Sequence, residues 1–340
     1  MVKLERILLF VFFLEVYQVS GLVFAIELSL AGYQRSDGAI TVHYNGDRVD
    51  PYFASKALLA ALDAGLDVRR ASMAWIEWAL PHQLSDGRFQ RFCVKDDRYV
   101  ACAPADADDA ILAVWIELLA KLAPADGPSP AWESSLRNAY SYLTTLYDEK
   151  IGVYHISATE QVGLQMDNVE VYSALKAMSQ LEPVHLGNGD EVRAIVNQAE
   201  RLLGNIQRVF WQTQLQSYRV STEAPVASNF YPDQIAQLFP MLVGMPTPHR
   251  DEAAFFDSWI ATNYKTWREQ ASFDYPWGLV ALAANKMGFR HTVASWICLA
   301  RPLRHGAHWN VLEEAVYQAL STQITTDTEN TWPCNKGSAK

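Results

Sequence analysis

Residues 106–122 read Asp106-Ala107-Asp108-Asp109-Ala110-Ile111-Leu112-Ala113-Val114-Trp115-Ile116-Glu117-Leu118-Leu119-Ala120-Lys121-Leu122. Acids crowd the start, and from Ala110 onward apolar side chains point in nearly every direction around a helix. A helix that is apolar nearly all round has to be buried. The same type recurs after short turn-like segments. Ser36-Asp37-Gly38 precedes a helix over Pro51 to Ala64, and Ser85-Asp86-Gly87 precedes Asp106 to Leu122. Tyr147-Asp148-Glu149 leads to Asp167 to Leu181, and Trp211 to Tyr218 leads to Tyr231 to Val243. A fifth helix runs from Asp274 to Met287 and a sixth from Asn310 to Ser321. Between them lie helices with one wet face: Val68 to Ala79, Trp132 to Leu146, Glu191 to Phe210, Glu252 to Trp267 and His291 to Arg301. Buried helices alternating with amphipathic ones predict an all-α double ring, an (α/α)6 toroid of about six helical hairpins with short β-hairpins in its loops. An open solenoid of hairpins is the competing architecture.

Half of the 340 residues are hydrophobic, so a large core is available and disorder is not expected. Glycine and proline are scattered without forming a linker, which predicts a single domain over residues 26–340. The formal charge of −10 and pI near 5.3, with no basic stripe, argue against a nucleic-acid partner. Lys3 and Arg6 precede the apolar run Ile7 to Leu14, and Val23 and Ala25 fit a cleavage site, so residues 1–25 resemble a secretory signal peptide. That reading predicts a periplasmic or secreted protein; the alternative is an ordinary outer helix and a cytoplasmic protein. No further stretch is long and apolar enough for a stable membrane span. Oligomeric state is not legible.

Of the four cysteines none has metal-ligand spacing, and neither a metal nor an organic cofactor is implied. A hairpin turning at Asp97-Arg98 would set Cys93 opposite Cys102, as a disulfide needs; two free thiols are the alternative. P-loop, dinucleotide-binding, esterase and zincin motifs are absent.

Antiparallel hairpins put every inner-helix N-terminus at one end of the toroid, and this chain loads that end with carboxylates. They are Asp106, Asp108, Asp109, Asp167, Glu170, Asp233 and Asp274, joined by Asn168 and Asn310 and by the flat rings of Tyr172, Tyr231, Tyr275, Trp277 and Trp309. Each acid singly is explained as a helix cap worth about 0.5–2 kcal/mol. Several acids beside aromatic faces at one mouth fit glycosidic cleavage, in which one carboxyl protonates the leaving oxygen and another activates water or attacks carbon.

Four segments resemble a group of bacterial six-hairpin glycosidase-like proteins: Asp50-Pro51-Tyr52-Phe53-Ala54, Met166 to Tyr172, Tyr231 to Pro240, and Tyr275-Pro276-Trp277-Gly278-Leu279. The resemblance implies the toroid, a role on polysaccharide or oligosaccharide, and a place in the cleft for Asp167, Glu170 and Asp233. From position in the repeat, Asp109 or Asp108 is expected as general acid and Asp167 as base or nucleophile. Asp233 and Asp274 are expected to hold substrate or a catalytic water.

Asp106-Ala107-Asp108-Asp109 is also similar to the D-x-D-D acid motif of class II terpene cyclases, with Asp108 as the acid. Gln34-Arg35-Ser36-Asp37-Gly38 and Gln83-Leu84-Ser85-Asp86-Gly87 are similar to their Gln…Gly repeats. A non-catalytic sugar-binding scaffold of polysaccharide export and a lyase with a Tyr or His base are further alternatives.

Overall fold

The computed structural model describes residues 25–181, 189–224 and 228–327. The leader expected before residue 25 lies outside them. Six helices form an inner ring: α1 (Pro51–Asp63), α3 (Asp108–Leu122), α5 (Gln165–Met178), α7 (Phe239–Val243), α9 (Gly278–Lys286) and α11 (Val311–Asp327). Five outer helices are described: α2 (Arg69–Ala79), α4 (Pro130–Thr145), α6 (Gly189–Phe210), α8 (Glu252–Gln270) and α10 (Arg290–Ala300). Around the ring α1 packs on α3, α3 on α5, α5 on α7, α7 on α9 and α9 on α11, and α11 returns to α1. That closure makes a toroid and not an open solenoid.

The two rings differ as their sequences require. In α3 every residue from Asp109 to Ala120 is buried, whereas α6 buries only Ile195, Ala199, Leu202, Ile206 and Phe210, one stripe at helical spacing. Starts are set by caps: Asp50 and Ser129 accept from the amides of Tyr52 and Trp132, each with proline at the first helical position. Large indoles fill the space between the rings. Trp115 donates to Ser135 Oγ at 2.9 Å, and Trp267 and Trp296 both donate to the carbonyl of Pro276 at 3.0 and 2.9 Å.

The Ser-Asp-Gly turns are clamps on the outer helices. Gly38 and Gly87 have φ of 99° and 96°, and a Cβ there would lie 2.1 Å from the Ala74 carbonyl oxygen and 2.3 Å from that of Asn138. Gln34 reaches over to the carbonyls of Gly38 and Ala71, and Gln83 to those of Gly87 and Ser135. The Gln…Gly repeat therefore has a packing cause, and the resemblance to cyclase repeats needs no shared chemistry.

Loops entering one inner helix tie down the start of the previous one. Asp108 N donates to Ile156 O, Gln165 N to Val220 O, and Val311 N to Val42 O, so the last link runs from the end of the chain to its beginning. Three small antiparallel sheets sit in these loops among the described residues: β1 (Arg48–Val49) beside β2 (Gln90–Lys95), which pairs in turn with β3 (Arg98–Pro104); β4 (Tyr147–Asp148) with β5 (Val153–Tyr154); and β6 (Trp211–Gln212) with β7 (Ser217–Tyr218). No described helix is long and apolar enough to cross a membrane.

Three boundaries differ from expectation. The fourth inner helix is not continuous from Tyr231: that residue is extended, its bond to Pro232 is cis, and α7 begins only at Phe239 after a wide turn at Phe230–Gln234. Proline disfavours helical backbone at the residue before it, and Tyr231 is extended. The fifth starts at Gly278 and not at Asp274, because Pro276 and the left-handed Trp277 (φ 49°) intervene. The β2–β3 hairpin turns at Asp96-Asp97, both with positive φ, one residue earlier than expected. Cys93 then faces Val100, and a bulge opposite Arg91 and Phe92 brings Cys102 into bonding distance as its diagonal neighbour, with Cα atoms 5.8 Å apart. The two form a disulfide, and Cys298 is disulfide-bonded as well.

Candidate active site

A cleft of about 530 Å³ opens where the six inner helices begin, and all six contribute to its lining. α1 gives Asp50, Tyr52 and Phe53; α3 gives Ala110 and Ile111; α5 gives Met166 and Asp167. The fourth to sixth inner elements give Tyr231, Phe239, Asp274, Tyr275, Trp277, Asn310 and Glu313. Glu160 comes from the loop before α5, and Arg91 and Asp106 come from the ends of the disulfide-bonded hairpin.

The floor lies on the α5 side. Asp167 is 7 % exposed, and burial, reinforced by the Glu170 carboxylate, pushes its pKa up to about 8. Asp109 is fully buried against it and is held well above the ordinary carboxylate range by burial and then by Asp167. Asp109 Oδ1 accepts from the Ala110 amide, and the Asp109 and Asp167 carboxyls are hydrogen-bonded to each other. Two adjacent carboxyls of this kind are relieved by holding a proton between them. Beneath them Glu170 takes Lys56 Nζ at 2.6 Å and Tyr52 OH at 2.9 Å.

The opposite wall is α11, three places round the ring from α5. Glu313 is 3 % exposed; burial pushes its pKa up to about 8, opposed by the Gly278 amide, which donates to its oxygens at 2.9 and 3.1 Å. A Cβ on Gly278 would lie 2.9 Å from Glu313 Oε2 and 2.8 Å from Trp296 Cζ2, so only glycine lets the carboxyl sit there. Asn310 caps α11 by accepting from Glu313 N. Helix N-termini favour the ionised form by about 0.3–1 kcal/mol each, and at both acids the raised pKa shows that desolvation outweighs this.

Between floor and wall stands an aromatic platform. Tyr231, 52 % exposed, stacks on Trp277 with centroids 5.0 Å apart and planes 24° from parallel. Trp277 is held in its left-handed backbone by its indole donating to Asp274 Oδ2 at 3.0 Å and by its carbonyl accepting from Trp267.

No protein-family model matches the sequence, and no curated protein does. Solved structures do match the toroid. A mannosylglycerate hydrolase from Thermus thermophilus in complex with glucose superposes with TM-score 0.54 at 14 % identity, over 86 % of this chain and 98 % of that one. An alpha-amylase from Clostridium perfringens gives 0.55 at 13 %, over 85 % and 93 %, and a D-mannose isomerase gives 0.53 at 11 %, over 87 % and 94 %. The fold is that of the six-hairpin glycosidases.

Within that six-hairpin scaffold the residues singled out from sequence separate into groups. Asp106, Asp167, Asp274, Tyr231, Tyr275, Trp277 and Asn310 line the cleft. Asp109 and Glu170 lie buried behind Asp167. Asp108 does not reach the cleft: it is half-buried beside Arg88, Asp86 and Tyr142, so the D-x-D-D acid of a cyclase is absent from the cavity. Asp233 ties down the wide turn by accepting from Asn229 N at 2.9 Å. Asn168 is fully occupied with Tyr154 N, Tyr154 O and Leu164 O, a clamp that Gln237 repeats on Tyr218 and Asp233 one hairpin later. Trp309 is buried with its indole on Glu314, and Tyr172 is outside the lining.

Glu313, Asp50, Arg91, Glu160 and Lys56 join the site without having been expected there as functional residues. Glu313 carried a signal: with Asn310 it forms the N-x-x-E pattern of a capping box, in a helix too apolar to solvate it. Arg91 is an ion-pair partner of Asp50 (2.9 Å) and Asp106 (3.2 Å), which no local pattern announces.

Proposed function

We propose that this chain is a glycoside hydrolase acting on a polysaccharide or oligosaccharide, with Asp167 as general acid and Glu313 as base. The observation that carries this is two buried carboxyls on α5 and α11, at opposite sides of one cleft floored by acids and walled by an aromatic platform. Asp167 is buried and sits beside Glu170, so it keeps its proton to about 8 and can give it to a leaving glycosidic oxygen. Glu313 is raised to about 8 by burial, opposed by the Gly278 amide, and in its ionised form it can take a proton from water or attack the sugar. This exchanges the roles expected from sequence, where Asp167 was the base and Asp108 or Asp109 the donor. Tyr231 and Trp277 offer faces for a sugar ring.

The structural neighbours named as hydrolases of sugars support this choice at the level of fold. No described histidine lines the cleft, which leaves a histidine-based lyase or isomerase without its base. The cyclase alternative lacks its acid, because Asp108 lies outside the cleft lining. We also propose export from the cytoplasm: disulfides persist in oxidising compartments, and the hairpin that carries Arg91 and Asp106 is closed by one.

The test is release of reducing ends from a panel of glucans and exopolysaccharide fragments, run beside a Tyr231→Ala variant. Release by the wild type that falls steeply in Tyr231→Ala is expected. A chain that binds these glycans in the cleft and releases nothing from any of them is a binding module.

A further inference from the structure

The cleft's charge is one-sided in a way the hydrolytic step does not require. Among the described residues lining it, six carry carboxyls (Asp50, Asp106, Glu160, Asp167, Asp274 and Glu313) and one, Arg91, carries a positive charge. That cation is already engaged by Asp50 and Asp106. An anionic sugar would meet no available positive group there. Helix N-termini could have served an anion, yet their amides are occupied from within. Tyr52 N goes to Asp50, Ala110 N to Asp109, Gly278 N to Glu313, and Glu313 N to Asn310.

The acids are also arranged around a ring face. Tyr231 is flanked by Asp167, Asp106, Glu170 and Asp274, whose charges join burial in pushing its hydroxyl pKa up to about 12. Asp274 holds the Trp277 indole edge with one oxygen, Oδ2, at the rim of the Tyr231–Trp277 stack. Asp106, exposed at the rim, and Asp274 border the same space. A π-face bordered by carboxylates is what an ammonium group selects: the face attracts the cation and the carboxylates take its three N–H bonds.

Resting on the glycosidase reading, we propose that the substrate is an amino sugar with a free, protonated amine, seated with its ammonium at the Asp274–Trp277–Tyr231 corner. Neutral hexoses and N-acetylated sugars fit the same platform without the charge contact, and uronates are repelled.

The test is calorimetric titration of the whole chain with glucosamine, N-acetylglucosamine, glucose and glucuronate, at mildly acidic pH and at two salt concentrations. Glucosamine is expected to bind at least about tenfold more tightly than the two neutral sugars, as one ammonium contact with an aromatic face and a carboxylate allows. The margin narrows at high salt, and glucuronate gives no measurable heat. Asp274→Asn is expected to shrink the glucosamine margin to about threefold or less, and Asp106→Asn, on the exposed rim, to shrink it in the same direction by less. Equal binding of glucosamine and glucose, tighter binding of glucuronate, or no binding of any sugar would each overturn the proposal. Equal binding leaves the hydrolase reading intact, whereas a glucosamine preference without cleavage of any glycan sinks the hydrolase and spares the amine site.

Discussion

Asp167 on α5 and Glu313 on α11 are both buried, both line the cleft, and both have pKa values pushed up to about 8, yet they keep different company. Asp167 lies against Asp109 and Glu170, with Lys56 the cation that balances this floor. Glu313 rests on a backbone amide at the start of α9, with Gly278 shaped to admit it. Burial raises both to about the same value, and what differs is the neighbours that surround them. Like charges retain a proton, and an amide releases one. A fold can thus differentiate two carboxyls without changing their exposure.

The comparison breaks most visibly at Lys56. Lys56→Met leaves Glu170 without its ion-pair partner in a site 1 % exposed, a loss of about 3–5 kcal/mol in urea unfolding at neutral pH. The double variant Lys56→Met with Glu170→Gln recovers most of it. An unchanged unfolding midpoint in the single variant would detach Lys56 from the floor. On the other wall, Gly278→Ala forces Glu313 and Trp296 aside. A fall in kcat of about a hundredfold is expected, with only about 1–3 kcal/mol of stability lost. If stability falls and kcat holds, the seat of Glu313 is packing alone.

A smaller effect sharpens the difference through pH. Unfolded, Asp167 titrates near 4; folded, it holds its proton to about 8. Between those values the native state binds more protons than the unfolded chain, so stability falls as pH rises and is fully present only below the lower one. Asp167→Asn removes its share of that slope, leaving the share of Glu313, and raises the thermal midpoint at alkaline pH by a few °C, on the order expected when a strained active-site charge is deleted. Thermal melts across the pH range check both. Smaller still, Asp233→Ala should cost about 1 kcal/mol as a lost cap while kcat changes little.

Inner and outer rings, their order and most boundaries were legible in the sequence, because burial on all sides against burial on one stripe is written in local periodicity, as α3 and α6 show. The late start of the fourth inner helix was missed, although Pro232 disfavours a helix beginning at Tyr231. Membership of the cleft was half legible. N-terminal position brings Asp106, Asp167 and Asp274 to the right end, but a single residue step, about 100° around the helix, separates Asp109, turned inward behind Asp167, from Asp108, turned out to Arg88. Period alone does not resolve neighbours on a helix that is buried all round. Asp233 and Asn168 look like site residues because a capping or clamping side chain and a catalytic one share the same address. Arg91 was hidden because it arrives on a hairpin from another part of the chain.

The most direct measurement is single-turnover release of reducing ends by four variants side by side, Asp167→Asn, Glu313→Gln, Asp108→Asn and Asp233→Asn, each first shown to be folded by circular dichroism. The first two should lose about a thousandfold or more, and the last two should stay within about threefold of wild type. Full release by Glu313→Gln, or a loss in Asp108→Asn as deep as that in Asp167→Asn, would contradict an acid pair set across the ring.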